Sequence, residues 1–326
     1  MRARHLHVLL FGAMGSGHVI GRDEIEAAAG LVSPYIRRTP VITLEDGLGG
    51  VAGPVDLKLE QLQVTGSFKP RGAFSLLLSC PRRPDGVVAA SGGNFGLAVA
   101  YAAHRLGIRA TVFVPGSSPA EKTAGISAYG ADVRVEPGFY PDALAAAVAW
   151  AAEHDAVAAH AYDDRAVVAG QGTVGVELSE QLPDTETLVI AVGGGGLIGG
   201  IASWLRDDVR VVAVETEGTP TLHAARAAGH PVDVAVSGIA ASSLGAGRIG
   251  DHAWAANRWI DKSVLVTDAA TQAAQTWLWE HARVVAEPGA ATTVAALLSG
   301  AYRPGRGEGV TLLICGANTA PGSVQG

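Results

Sequence analysis

An α/β fold of two entwined lobes, each a mostly parallel sheet flanked by helices, is what this sequence predicts. Three observations carry that prediction. Short β-like runs alternate with Ala-rich stretches of helical length from residue 21 onward. Glycine clusters follow several of the runs, where the strand-to-helix turns of a parallel sheet fall. No internal repeat or low-complexity linker divides the chain, so the lobes interleave rather than follow in series.

In chain order, strands are expected at VDLKLE (55–60), GVVAA (86–90), ATVFVP (110–115), DVRVE (132–136), TLVIAV (187–192), VRVVAVE (209–215) and VTLLIC (310–315), all rich in β-branched residues. Helices are expected at FGLAVAYAAHRLG (95–107), PDALAAAVAWAAEH (141–154), GVELSEQL (175–182), GGIASWLRD (199–207), AATQAAQTWLWEHAR (269–283) and AATTVAALLSG (290–300), where Ala and Leu favour helix. A further helix opens at Pro70, a residue suited to a first helical turn, with Ser67 and Thr65 as candidate caps. Residues 21–85 and 156–326 are assigned to a large domain and 86–155 to a small one. Residues 1–20 are set aside as an extension, disordered or left from cloning, with Met14 an alternative start.

The 326 residues suit about two domains at roughly 150 residues each. With 48% hydrophobic and 17% charged residues the chain is globular rather than disordered. A net charge of −7 offers nucleic acid no basic footprint, and no stretch reaches the ~18 apolar residues of a membrane helix. The two cysteines, Cys80 and Cys315, lack metal-type spacing and point to a reducing cytoplasm. No His, Asp and Ser ordering suggests a hydrolase triad.

Three Gly-rich loops follow expected strands: ASGGNFG (90–96), GGGGLIGG (193–200) and CGANTAPG (315–322). Ligands of open α/β sheets bind at such loops, so three of them suggest one composite site. Six glycines in the eight positions of GGGGLIGG let backbone N–H groups approach an anion at a helix N-terminus. The same segment satisfies G-x-G-x-x-G through Gly194, Gly196 and Gly199, with Glu215 about twenty residues on, so a nicotinamide dinucleotide competes with a phosphorylated cofactor. Lys69 separates the two. In QVTGSFKPRG (63–72) it is a lone amine in an apolar, Gly-rich context, where desolvation lowers its pKa and frees it as a nucleophile. A phosphate cup and such a lysine together indicate pyridoxal phosphate.

At these residues the chain resembles the fold-type II pyridoxal-phosphate enzymes, which are tryptophan synthase β-like, in the branch of serine/threonine dehydratases (ammonia-lyases) and serine racemases. GSFKPRGAF resembles the family's lysine motif and SGGNFG its asparagine loop. The segments TVFVPGSSPAEKTAGISAYGADV (111–133), AGQGTVGVEL (169–178), GGGGLIGG and EPGAATTVAAL (287–297) fall in the family's order, covering about residues 22–320. The resemblance implies that Lys69 carries the cofactor and moves the substrate's Cα proton. It further implies that Phe68, Asn94, Gly193, Gly194, Gly195, Gly196, Leu197, Glu287 and Cys315 bind the cofactor, and that Ser91, Gly92, Gly93, Asn94 and Phe95 hold the substrate carboxylate. By the same resemblance, Cys315 is the neutral residue facing the pyridine nitrogen. The expected activity is dehydration and deamination of a small 3-hydroxy-L-amino acid by a homodimer, with β-replacement, racemisation or a specialised biosynthetic step as alternatives. An NAD-dependent dehydrogenase remains as the alternative from outside the family.

The chain departs from the pattern in four places. Gly92 stands where serine racemases have serine, and Phe95 where dehydratases often have His. Thr221 stands where a cation site near Glu215 and the Thr219 carbonyl needs an acid, so no metal is expected. Ser242 and Ser243 stand where dehydratases commonly have aspartate. Phe95 and the missing aspartate raise the option of a bulkier 3-hydroxy substrate.

Overall fold

The computed structural model describes residues 19–51, 53–116, 118, 120–138, 140–320 and 322. Residues 1–18, most of the expected extension, lie outside them. Among the described residues ten strands form two sheets: β1 Val41–Leu44, β2 Val55–Lys58, β3 Gly86–Ala90, β4 Arg109–Pro115, β5 Asp132–Glu136, β6 Val157–Ala159, β7 Thr187–Ala191, β8 Arg210–Thr216, β9 Lys262–Val266 and β10 Val310–Leu313. The larger sheet runs β1-β2-β10-β7-β8-β9 and the smaller β5-β4-β3-β6. Every described pairing is parallel except that of the edge strand β1 with β2. All residues of β3, β7 and β10 are buried, as parallel strands covered by helices on both faces must be.

Strands β1, β6 and β9 were not expected. Two are edges of the large sheet and the third is three residues long, so none carries a strong apolar signal. β6 pairs with β3 and lies in the small sheet, beyond the boundary expected at residue 155. The lobes interleave: Val32, Phe74, Leu77 and Val167, from outside the small sheet's segment, share one apolar core with β3, β4 and the helix Asn94–Leu106. The extension expected over residues 1–20 is corrected at its end. Ile20 is 1% exposed and packs with Ile25, Ala28 and Val168. The reason is local: Gly21 caps the helix Arg22–Val32, Glu24 accepts from the Gly21 N–H, and Ile20 and Ile25 form the apolar staple across that cap.

A buried ion cluster anchors the helix Lys69–Leu78 to the large sheet. Arg71 donates from Nε and Nη2 to the two oxygens of Glu60 at 2.8 and 2.7 Å, and to Glu177 at 2.8 Å. Lys58, on β2, donates to Glu177 at 2.7 Å, to Gln181 at 2.6 Å and to the Thr39 carbonyl at 2.9 Å. Two cations meet two anions, and the fork of Arg71 matches one carboxylate bidentately. Lys58 and Glu60 are 0% exposed and Arg71 is 1% exposed, so this pairing is what makes their burial tolerable.

Candidate active site

Lys69 opens its helix beside the end of β10, because the Phe68 N–H donates to the Cys315 carbonyl at 3.1 Å and Ser67 bridges Gly316. The Lys69 amine donates to the Ala161 carbonyl at 3.0 Å and lies 4.9 and 5.6 Å from the ring centres of Phe68 and Phe95. Burial pushes it down to about 8, against the pull of Cys315 and Glu287 toward the charged form. An amine so desolvated is unprotonated in a substantial fraction near neutral pH. Burial raises the Cys315 thiol, which therefore stays neutral.

Asn94 begins the helix Asn94–Leu106, and its Nδ2 donates to Glu287 Oε1 at 2.7 Å. Glu287 is 4% exposed and caps the helix Pro288–Leu298. Gly193 to Gly196 lead from β7 into the helix Gly196–Leu205, whose first N–H groups have no intrahelical acceptor and suit an anion. Gly195 caps that helix at φ 88°, a left-handed conformation that glycine adopts without strain. A Cβ on Gly194 would lie 2.2 Å from the Tyr162 ring, so this cup exists only because the residue is glycine. Leu197 is 5% exposed with its side chain in the large-sheet core, which leaves its backbone N–H for the cup.

The segment 160–162, not expected at the site, spans both of its ends. Ala161 meets the lysine, while Tyr162 covers Gly194 and lies edge-on to His160, 4.7 Å between ring centres. Burial lowers His160, and its Nδ1 accepts from the Asp163 N–H at 2.9 Å, so the imidazole is neutral. Asn318 and Thr65 also join the site: Asn318 Nδ2 donates to Thr65 O and Asn94 Oδ1, both at 2.8 Å. The loop holding Asn318 was legible as Gly-rich, but nothing in it singled out this side chain. The HAYDD segment carries no periodic or glycine signal at all.

Ser91, Gly92 and Gly93 precede the Asn94 helix, and Phe95 is 3% exposed in the small-lobe core with its ring near the amine. A Cβ on Gly92 would lie 2.3 Å from Ser118 Oγ, and one on Gly93 would lie 3.9 Å from the Ser242 carbonyl, so the 238–247 segment abuts this loop. Ser243 has a structural duty: its Oγ accepts from the Gly289 N–H at 3.0 Å. Glu215 is 0% exposed, and its oxygens accept from the Leu222 and His223 N–H groups at 2.8 Å and the Thr221 hydroxyl at 3.0 Å. Burial raises it to about 7. Its oxygens thus serve a helix N-terminus. Among the described residues no group of three or more His, Cys, Asp or Glu suits a metal.

An amine, an anion cup, an amide and a neutral thiol therefore converge. Pyridoxal phosphate fits this set on observations of the site itself. A side chain would fill the cup at Gly194, and Ser67 Oγ, next to Phe68 and Lys69, is buried without a partner.

The family model described as "Pyridoxal-phosphate dependent enzyme" matches residues 32–316. The chain is 36% identical over 281 residues to an L-threonine ammonia-lyase of Geobacter sulfurreducens, covering 84% of this chain and 70% of that one. It is 35% identical over 306 residues to an L-threonine ammonia-lyase of Thermotoga maritima, covering 92% and 76%. Among solved structures, a maize serine racemase superposes with a TM-score of 0.87 at 29% identity, covering 94% of this chain and 96% of that one. A T.th. threonine deaminase superposes at 0.85 with 33% identity, covering 92% and 99%. With the family model matched over residues 32–316 and the fold shared over nearly the whole length, this chain belongs to the pyridoxal-phosphate dependent enzymes.

Proposed function

We propose that this enzyme eliminates the β-hydroxyl of a small 3-hydroxy-L-amino acid, threonine or serine, to give a 2-oxo acid and ammonia. The observation that carries this reading is the Lys69 amine, brought down to about 8 by burial and held against the Ala161 carbonyl beside the neutral Cys315. The names of the relatives from Geobacter sulfurreducens and Thermotoga maritima support it.

Pyridoxal phosphate, when bound, supplies the electron sink that makes the substrate's Cα proton acidic. The chain's own residues do the rest. Gly193 to Gly196 bind the phosphate through backbone N–H groups. The N-terminus of the Asn94 helix, with Ser91 to Phe95, holds the substrate carboxylate by its dipole. Lys69 takes the proton from Cα, and the Ala161 carbonyl, by accepting one N–H, restrains the amine's rotation. By the family resemblance Cys315 would set a neutral thiol by the ring nitrogen, which would disfavour a long-lived carbanion and favour loss of the β-substituent. Phe68 and Phe95 exclude water from the amine. In balance, the Cα–H and Cβ–O bonds break, the hydroxyl leaves as water, and one water is consumed as ammonia is released. With both cysteines free, we also infer a reducing, cytoplasmic location, and from the family resemblance a homodimer.

The purified holoprotein is expected to release 2-oxo acid from L-threonine and L-serine. Racemisation or β-replacement without oxo acid would overturn the reading. A strict preference for threonine over L-serine and L-phenylserine would remove the bulkier-substrate option raised by Phe95. The lysine also sets a pH expectation. Attachment of pyridoxal phosphate to the apoprotein needs the unprotonated amine. Its rate should rise about tenfold per pH unit below the amine's value and level off above pH about 8. A rate still climbing at pH about 10, as for an ordinary lysine, would contradict the burial argument.

A further inference from the structure

Asn318 joins segments far apart in sequence, and hydrogen counting decides what that junction does. Its Nδ2 donates both to the Thr65 carbonyl and to Asn94 Oδ1, each at 2.8 Å. A backbone carbonyl can only accept, so Asn318 must turn its amino group toward Thr65. That same amino group reaches Asn94, which must answer with its oxygen. The Asn94 amide is thereby fixed: its amino group lies on the far side, with one hydrogen on Glu287 Oε1 at 2.7 Å and the other uncommitted.

The surroundings are shaped to admit this chain of bonds. A Cβ on Gly66 would lie 2.5 Å from Asn318 Oδ1, and one on Gly316 would lie 2.2 Å from Glu287 Oε1. Two glycines thus make room for two polar side chains, and Gly66 also takes the left-handed φ of 74° that its turn requires. Thr65 sits at φ 63°, ψ 11°, a left-handed conformation that strains a β-branched residue. That twist aims the carbonyl which Asn318 grips.

We propose that Asn318 is a positioning residue that holds the Asn94 amide with its amino group toward the cofactor's ring oxygen, so that a bare, unprotonated oxygen is favoured there. The inference rests on the reading that Asn94 holds the ring. Turned the other way, the amide would set its oxygen against the ring oxygen and against Glu287. The orientation of one side chain, set from a loop more than two hundred residues away, therefore decides which protonation state of the cofactor the site accepts.

The test is a double-mutant cycle of Asn318→Ala, Asn94→Ala and the pair, measured on the holoprotein for pyridoxal phosphate dissociation and for the pH midpoint of the cofactor's visible absorbance. The apoprotein's melting temperature is read alongside. Asn318→Ala is expected to weaken the cofactor about tenfold and to raise the pH midpoint, because the unprotonated oxygen loses its donor. The pair is expected to bind no more weakly than Asn94→Ala alone, since Asn318 acts through Asn94. An unmoved midpoint with a lowered melting temperature, or losses that add in full, would overturn the proposal and leave Asn318 as a loop tie. Asn318→Asp, which keeps the shape and removes the donor, gives the same reading if the alanine variant does not fold. A wild-type protein that binds no pyridoxal phosphate sinks the functional reading. Normal binding with an unmoved Asn318→Ala sinks this inference alone.

Discussion

Lys69→Ala is expected to lower the elimination rate by roughly 10²–10⁴-fold for the lost proton transfer alone, with further loss from the missing covalent anchor. The variant should still bind pyridoxal phosphate, because the cup at Gly193 to Gly196 is made of backbone and does not depend on the lysine. Borohydride treatment should fix the cofactor to the wild-type chain and leave it dialysable from the variant. The neighbouring basic group, His160, does not replace the amine: it is a neutral imidazole whose Nδ1 is already committed to the Asp163 N–H. Added methylamine should restore part of the rate by supplying a free base in the vacated space. A variant that keeps its cofactor fixed after reduction, or loses less than about tenfold in rate, would show that another residue carries the chemistry.

Arg71→Met should produce the largest loss of stability. It strips Glu60, 0% exposed, of its bidentate partner and leaves Glu60 and Glu177 facing Lys58 alone. Breaking a buried pair by removing one partner costs about 3–5 kcal/mol, a fall of roughly 10 °C in melting temperature for a domain of this size. Burial opposes the charge of Glu60, but the Arg71 guanidinium overrides it and holds the carboxyl below its ordinary range. A carboxyl lowered on folding contributes stability above its unfolded value and loses it as pH falls through the folded one. The gap between wild type and Arg71→Met should therefore be full at neutral pH and narrow in acid. Replacing Glu60 by leucine in the same variant should recover part of the loss, since no charge is then buried without a partner. A single variant within about 1 kcal/mol of wild type would place the cluster in water-accessible surroundings.

The alternation of β-branched and Ala-rich segments, the three glycine loops and the lone Lys69 were legible directly in the sequence, because each is a local requirement. Strand period, helix propensity, N–H donors on a close-approaching backbone and an amine in apolar company all appear in contiguous residues. The seven expected strands coincide with β2, β3, β4, β5, β7, β8 and β10 for the same reason. What escaped was set by contacts between distant segments. Strand β6 is three residues whose pairing with β3 decides its place, and Ile20 looked like part of a loose leader until its packing on Ile25 and Val168 was seen. The burial of Arg71 and Glu60 is not visible in their sequence neighbours, because Glu177 and Lys58, which close over them, come from distant segments. The same holds at the site. The sequence named Lys69 from its context and Asn94, Glu287 and Cys315 through the family resemblance, but only the fold puts the Ala161 carbonyl on the amine, Tyr162 over Gly194 and Asn318 behind Asn94. Residue type and local spacing determine which groups the chain can offer. Which way an amide faces depends on acceptors brought from the far ends of the chain, and that is a property of the tertiary structure.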